Sequence, residues 1–144
     1  MVHREQGEIM QVIEDNGLRL GVFISKNDRQ KGLNFYTKND DFIQVGIWGY
    51  DKGKKLAPHI HNIVSREVNQ TQEVVYVMQG KVKAFIYTEN EQLIEEIILQ
   101  EGDILILLKG GHGYEILQDD TFVLEVKNGP YVGADKDRRQ LKNV

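Results

Sequence analysis

A succession of short apolar segments, rich in β-branched residues and each cut off by a turn signal, constrains this chain more than any other feature. Such segments are readable at 18–25, 33–36, 42–49, 55–60, 73–78, 82–88, 93–99, 104–108, 113–117 and 121–126. The breaks between them carry turn chemistry: Asn27-Asp28, Lys38-Asn39-Asp40-Asp41, Glu89-Asn90-Glu91, Glu101-Gly102-Asp103 and Gln118-Asp119-Asp120. No long helical pattern competes with them. Regularly spaced short strands with this punctuation predict an all-β fold, an antiparallel sandwich or barrel. Pro58 and Pro130 are the only prolines, and both lie at predicted strand margins, where a missing donor does little harm. With no internal repeat, low-complexity stretch or linker, the 144 residues read as one domain, with N-terminal strands in 1–40 and a short charged tail at 131–144.

Composition narrows the function classes. There is no cysteine, so a disulfide framework and a thiolate metal site are both excluded, and any metal must be held by nitrogen and oxygen. A formal net charge of −4 and a pI near 5.6 give no electrostatic footprint for a polyanion, so nucleic acid is not an expected partner. The start of the chain, Met1 to Glu8, is too polar for a signal peptide, and the longest apolar run, Ile104 to Leu108, is too short to span a bilayer. A cytoplasmic location with no membrane partner is the expectation.

Within this β-rich pattern, three of the four histidines fall where a metal site is built. His59 and His61 form a His-x-His pair, and in an extended segment positions two apart share a face, so both imidazoles can reach one ion. On a helix the same spacing separates them by about 200°. Glu73 stands at the mouth of the apolar run that ends at Gly80, and His112 follows the run that ends in Gly110-Gly111. His3, in the polar N-terminus, reads as structural or solvent-exposed.

The pattern Gly53, His59, His61, Glu73, Gly80, followed by Gly102, Gly110 and His112, resembles the paired signatures of the cupin superfamily across most of the chain, residues 40–127. The chain departs from that pattern by an insertion at 62–72, by Leu108 in place of a proline and by Ile116 in place of an asparagine. Glu67 competes with Glu73 as the carboxylate, but no glycine closes a strand at the right distance behind it. The resemblance implies a small jelly-roll barrel, an antiparallel double-stranded β-helix, whose metal is held by His59, His61, Glu73 and His112. Three imidazoles and a carboxylate suit Fe, Mn, Ni, Zn or Co and leave a position open for water or substrate.

Other residues take roles by position. Tyr114 and Glu115, beside His112, are the candidates for proton transfer. Arg66, in the polar insertion, is a candidate clamp for phosphate or carboxylate, with an ordinary loop excursion as the alternative. Trp48 lies on the strand leading to the ligands, a candidate substrate contact whose plainer reading is core packing or an interface. Gly80, Gly102 and Gly110 read as backbone devices for tight turns, and the tail 135–140 as a solvated terminus. If Glu73 points inward, so do Val75 and Val77, while Val74, Tyr76 and Met78 make a second apolar face. Such a face must be covered by another sheet or another subunit, so a homodimer is expected.

The Gly-Gly-His-Gly turn and the ending Glu-Val-Lys-Asn-Gly-Pro-Tyr resemble small stand-alone cupins associated with bacterial surface-polysaccharide and nucleotide-sugar pathways. That resemblance implies an isomerase, epimerase or lyase acting on a small polar substrate such as a sugar or nucleotide sugar. Two other readings remain open: a mononuclear iron dioxygenase, and a barrel that holds a small carbohydrate without turning it over.

Overall fold

The structure, a computed structural model, describes residues 10–142 and the short strand Val2–His3. The side chain of His3 lies outside the described part. In chain order the strands are β1 (Val2–His3), β2 (Gln11–Asp15), β3 (Leu18–Ile24), β4 (Gly32–Phe35), β5 (Gly46–Gly49), β6 (Glu73–Gln79), β7 (Lys81–Tyr87), β8 (Leu93–Gln100), β9 (Ile104–Leu107), β10 (Gly111–Ile116) and β11 (Phe122–Lys127). A single short helix among the described residues, α1 (Ala134–Asp137), lies in the tail. The fold is all-β, as the turn punctuation requires.

Three antiparallel sheets result. The six-stranded sheet runs β1-β2-β3-β9-β6-β11, the three-stranded sheet β10-β7-β8, and β4 pairs with β5. From β6 onward the chain crosses repeatedly between the two larger sheets, with β6, β9 and β11 in the larger and the β7–β8 hairpin and β10 in the smaller, and the two stack around one core. Ile13, Leu20, Val75, Val77, Leu105 and Leu107 of the larger sheet meet Val82, Ala84, Ile86, Ile97 and Leu99 of the smaller. Full burial of one such side chain contributes about 1.5–3 kcal/mol.

The other face of the six-stranded sheet is covered from within the chain. Tyr36, Ile43, Val45 and Ile47 pack over Val22, Ile24, Val74, Ile106 and Leu108. Two polar anchors hold that cover in place. Arg19 pairs with Asp41 at 3.2 Å, and the buried side chain of Gln72 accepts hydrogen bonds from the backbone N–H groups of Phe42 (2.8 Å) and Ile43 (3.0 Å). The apolar face behind Val74, read from the sequence as needing a second sheet or subunit, is therefore satisfied in large part by residues 36–47.

Most predicted strands form within a residue or two of their expected limits, with three differences. The segment 42–49 pairs only at Gly46–Gly49, because Gln72 rather than a ladder partner takes the amides of Phe42 and Ile43. No strand forms at 55–60; nothing pairs with it, and Pro58 removes a donor. β2 was not expected from its polar composition, yet Asn16-Gly17, with φ of 47° and 78°, makes the tight turn that folds it back on β3.

The two sheets do not close into a barrel. Among the described strands β10 pairs only with β7 and β11 only with β6, so both end in open edges. Gly80 sets the sharp β6–β7 turn: its φ is +88°, and a Cβ there would collide with Thr121. Gly102 and Gly110 also adopt positive φ, the backbone role the sequence assigns to them.

Candidate functional site

Side-chain alternation aims three strands at one space. On β6 it sends Glu73 and Val75 inward, on β10 His112, Tyr114 and Ile116, and on β11 Val123, Glu125 and Lys127. All eight line a cavity of about 1400 Å³ between the two larger sheets. Antiparallel register puts Lys127 directly opposite Glu73 and Glu125 opposite Val75. Charged groups thus converge on a wall whose floor is apolar.

Glu73 is the centre of the cluster. It is 6% exposed, and its Oε1 lies 2.8 Å from His112 Nε2. The approach is close but poorly directed, so Oε1 remains a buried acceptor without a well-formed hydrogen bond. Lys127 Nζ stands 3.9 Å from Glu73 Oε2 and 3.5 Å from Glu125 Oε1. Burial pushes the Glu73 carboxyl up, but interaction with His112, joined by Glu125 and Lys127, holds it below the ordinary carboxylate value. Tyr114 moves the other way. Desolvation, then the charges of Glu73 and Glu125, raise its hydroxyl well above the usual phenol value, so it stays protonated through the neutral range. Its ring sits 5.6 Å from that of His112.

The tail forms one side of the cavity and is not a free solvated terminus. Thr71 donates to Asp137, Arg139 pairs with Glu91, the Lys142 N–H donates to Glu91 Oε2 at 3.0 Å, and Leu141 packs over Gly111. Asn128 ties the adjoining loop, accepting from the Gln72 N–H at 2.6 Å and donating to the Gln70 carbonyl at 3.0 Å. Lys109, Lys136, Arg138 and Arg139 also line this space.

The structure brings together only some of the residues singled out from the sequence. Glu73, His112 and Tyr114 share the cavity. His59 and His61 lie on an exposed irregular segment, their rings 4.9 Å apart, away from the cavity wall. Arg66 is on the same segment, donating to the Val64 carbonyl at 3.4 Å. Trp48 is exposed on β5, stacked on Tyr50 at 6.2 Å. Glu115 falls between the inward positions of β10, opposite Lys83, and so faces away from the cavity. Glu125, Lys127 and the tail were missed, although Val123, Glu125 and Lys127 form a readable period of two.

A four-ligand metal centre is not assembled by this arrangement. The enclosed Glu73 Oε1 and the adjacent His112 nitrogen are suitable donors for a divalent ion, but no group of three or more His, Asp or Glu side chains suited to a metal occurs among the described residues. The Lys127 ammonium adds positive charge to the same carboxylate. The residues present therefore do not fit the expected centre, because residues 55–60 do not form the strand that would carry His59 and His61 to it.

No protein-family model, curated protein or solved structure matches the chain. The cupin resemblance thus stands on the motif residues alone. Among the described residues, no helix is long and apolar enough to cross a membrane.

Proposed function

We propose that the cavity binds a small polar substrate and that His112, Glu73 and Tyr114 move protons on it, in isomerase, epimerase or lyase chemistry. The observation that carries this reading is the pairing, on one cavity wall, of a buried carboxylate–imidazole couple with a phenol held in its protonated form. Glu73 at one ring nitrogen of His112 leaves the other free to take a proton and stabilises the imidazolium that forms. Removal of a proton from a carbon beside a carbonyl sends the electron pair to the carbonyl oxygen, where the Tyr114 hydroxyl donates a hydrogen bond to the enolate and keeps its proton. Return of a proton to the opposite face of the same carbon as the carbonyl reforms completes epimerisation; its return to the former carbonyl carbon, with the adjacent hydroxyl's proton passing to the enolate oxygen, completes isomerisation.

The substrate class proposed is a sugar or nucleotide sugar. Its support is the set of cations Lys109, Lys127, Lys136, Arg138 and Arg139 around an apolar floor, suited to an anionic group such as a phosphate. The repeated crossing of β6 to β11 between two stacked antiparallel sheets, interrupted only by the β7–β8 hairpin, supports a jelly-roll relationship and, with the histidine motif, a cupin-like ancestry.

The test is deuterium exchange followed by NMR, with nucleotide sugars and free sugars in D2O. The wild type is expected to exchange a proton at a carbon beside a carbonyl, and His112→Gln and Tyr114→Phe to lower the rate by about 10²–10⁴-fold each. Thermal stabilisation by a sugar without exchange would identify a binding protein instead. No stabilisation and no exchange with any of them would end the carbohydrate reading.

A further inference from the structure

Lys127 faces the carboxylate that the histidine motif would give to a metal ion. On β11 it lies opposite Glu73 of β6, and Glu125, two residues earlier, shares its face of the strand. The ammonium therefore meets two carboxylates, at 3.9 Å from Glu73 Oε2 and 3.5 Å from Glu125 Oε1, while Glu73 Oε1 turns to His112 Nε2 at 2.8 Å. Glu73 is buried and Lys127 half-buried, so these charges are screened less than they would be at a free surface.

The balance of formal charge decides what such a cluster can accept. Without Lys127, the Glu73 and Glu125 carboxylates beside a neutral imidazole would present two negative charges, the complement of a divalent ion. With it one remains, the complement of a single proton. Tyr114 registers that remaining excess, since after desolvation the charges of Glu73 and Glu125 raise its hydroxyl. A divalent ion at Glu73 would have to share its carboxylate with the ammonium, and like charges on one partly buried group repel far more than they do in water.

We infer that Lys127 is the resident cation of this cavity: it stands electrostatically where a metal ion would, holds Glu73 and Glu125 in position, and leaves the site selective for a proton over a divalent ion. The inference rests on the proton-transfer reading for its purpose, though not for its geometry. An ammonium carries three N–H donors. Two serve the two carboxylates, and the third can meet an oxygen of the bound molecule, stabilising negative charge there without coordination.

Calorimetric titration of chelator-treated, tag-free protein with Ni(II) and with Zn(II) tests this. Every chain in the series carries His59→Ala and His61→Ala, so that the exposed pair contributes no binding. Lys127→Met keeps the aliphatic stem and loses the charge, and it should bind the ions about tenfold or more tightly than the parent. Glu73→Gln added to it should remove the gain. Lys127→Arg, which keeps the charge, should stay as weak as the parent, and Lys127→Gln repeats the comparison should the Met variant fold poorly. A parent that already binds metal tightly and loses it on Glu73→Gln, a gain below about tenfold in both neutral variants, or an equal gain in Lys127→Arg would each overturn the inference. No substrate enters the titration, so its outcome and that of the proton-exchange experiment are read separately.

Discussion

At Glu73 two opposing effects meet. Burial disfavours its charge, while the imidazole of His112 and the ammonium of Lys127 favour it, and the second influence prevails. A carboxyl whose folded value is depressed contributes stability that is fully present above the ordinary carboxylate range and is lost as pH falls through the depressed value. The urea midpoint of the wild type should therefore decline as pH is lowered through and below that range, and Glu73→Gln should flatten the decline. An unchanged acid slope in the variant would show that Glu73 is not held ionised by its neighbours. Glu73 stands out in the sequence because, unlike Glu67, it heads an apolar run closed by a glycine, and its burial follows from that run being paired on both sides, with β9 and β11. Glu125 and Lys127 were equally readable by alternation, but their meaning was not: only pairing of β11 with β6 sets Lys127 against Glu73.

Elements are legible where local chemistry decides them. The β6–β7 hairpin needs a positive φ at Gly80, and Thr121 fills the space a side chain would occupy. Gly80→Ala should accordingly destabilise the protein by more than about 1 kcal/mol. Gly113→Ala, where an added Cβ meets nothing within 4 Å, should stay within about 0.5 kcal/mol in the same chemical denaturation experiment. Similar losses for both would mean that the turn, as described, does not limit the residue at 80. The segment 55–60 shows the opposite case. Its alternation is as regular as that of β11, yet a strand exists only when another strand supplies hydrogen bonds, and among the described residues none does.

For the molecule as a whole, stability should concentrate where both faces of a strand are covered. β3, β9 and β6 lie between the three-stranded sheet on one side and residues 36–47 on the other. Amide hydrogen exchange should be slowest there and faster in β10 and β11, which have open edges; the reverse order would contradict this layering. The sequence by itself determined the β character, most strand limits, the glycine turns and the shared direction of Glu73, Val75 and Val77, because these depend on local backbone geometry; that this direction is inward came from their burial in the fold. Only the tertiary structure decided that Glu73, His112, Tyr114, Glu125 and Lys127 share a wall, that the tail borders it and that His59 and His61 stay outside. Those outcomes depend on which strands find partners across long stretches of chain, and a period of two carries no record of the partner.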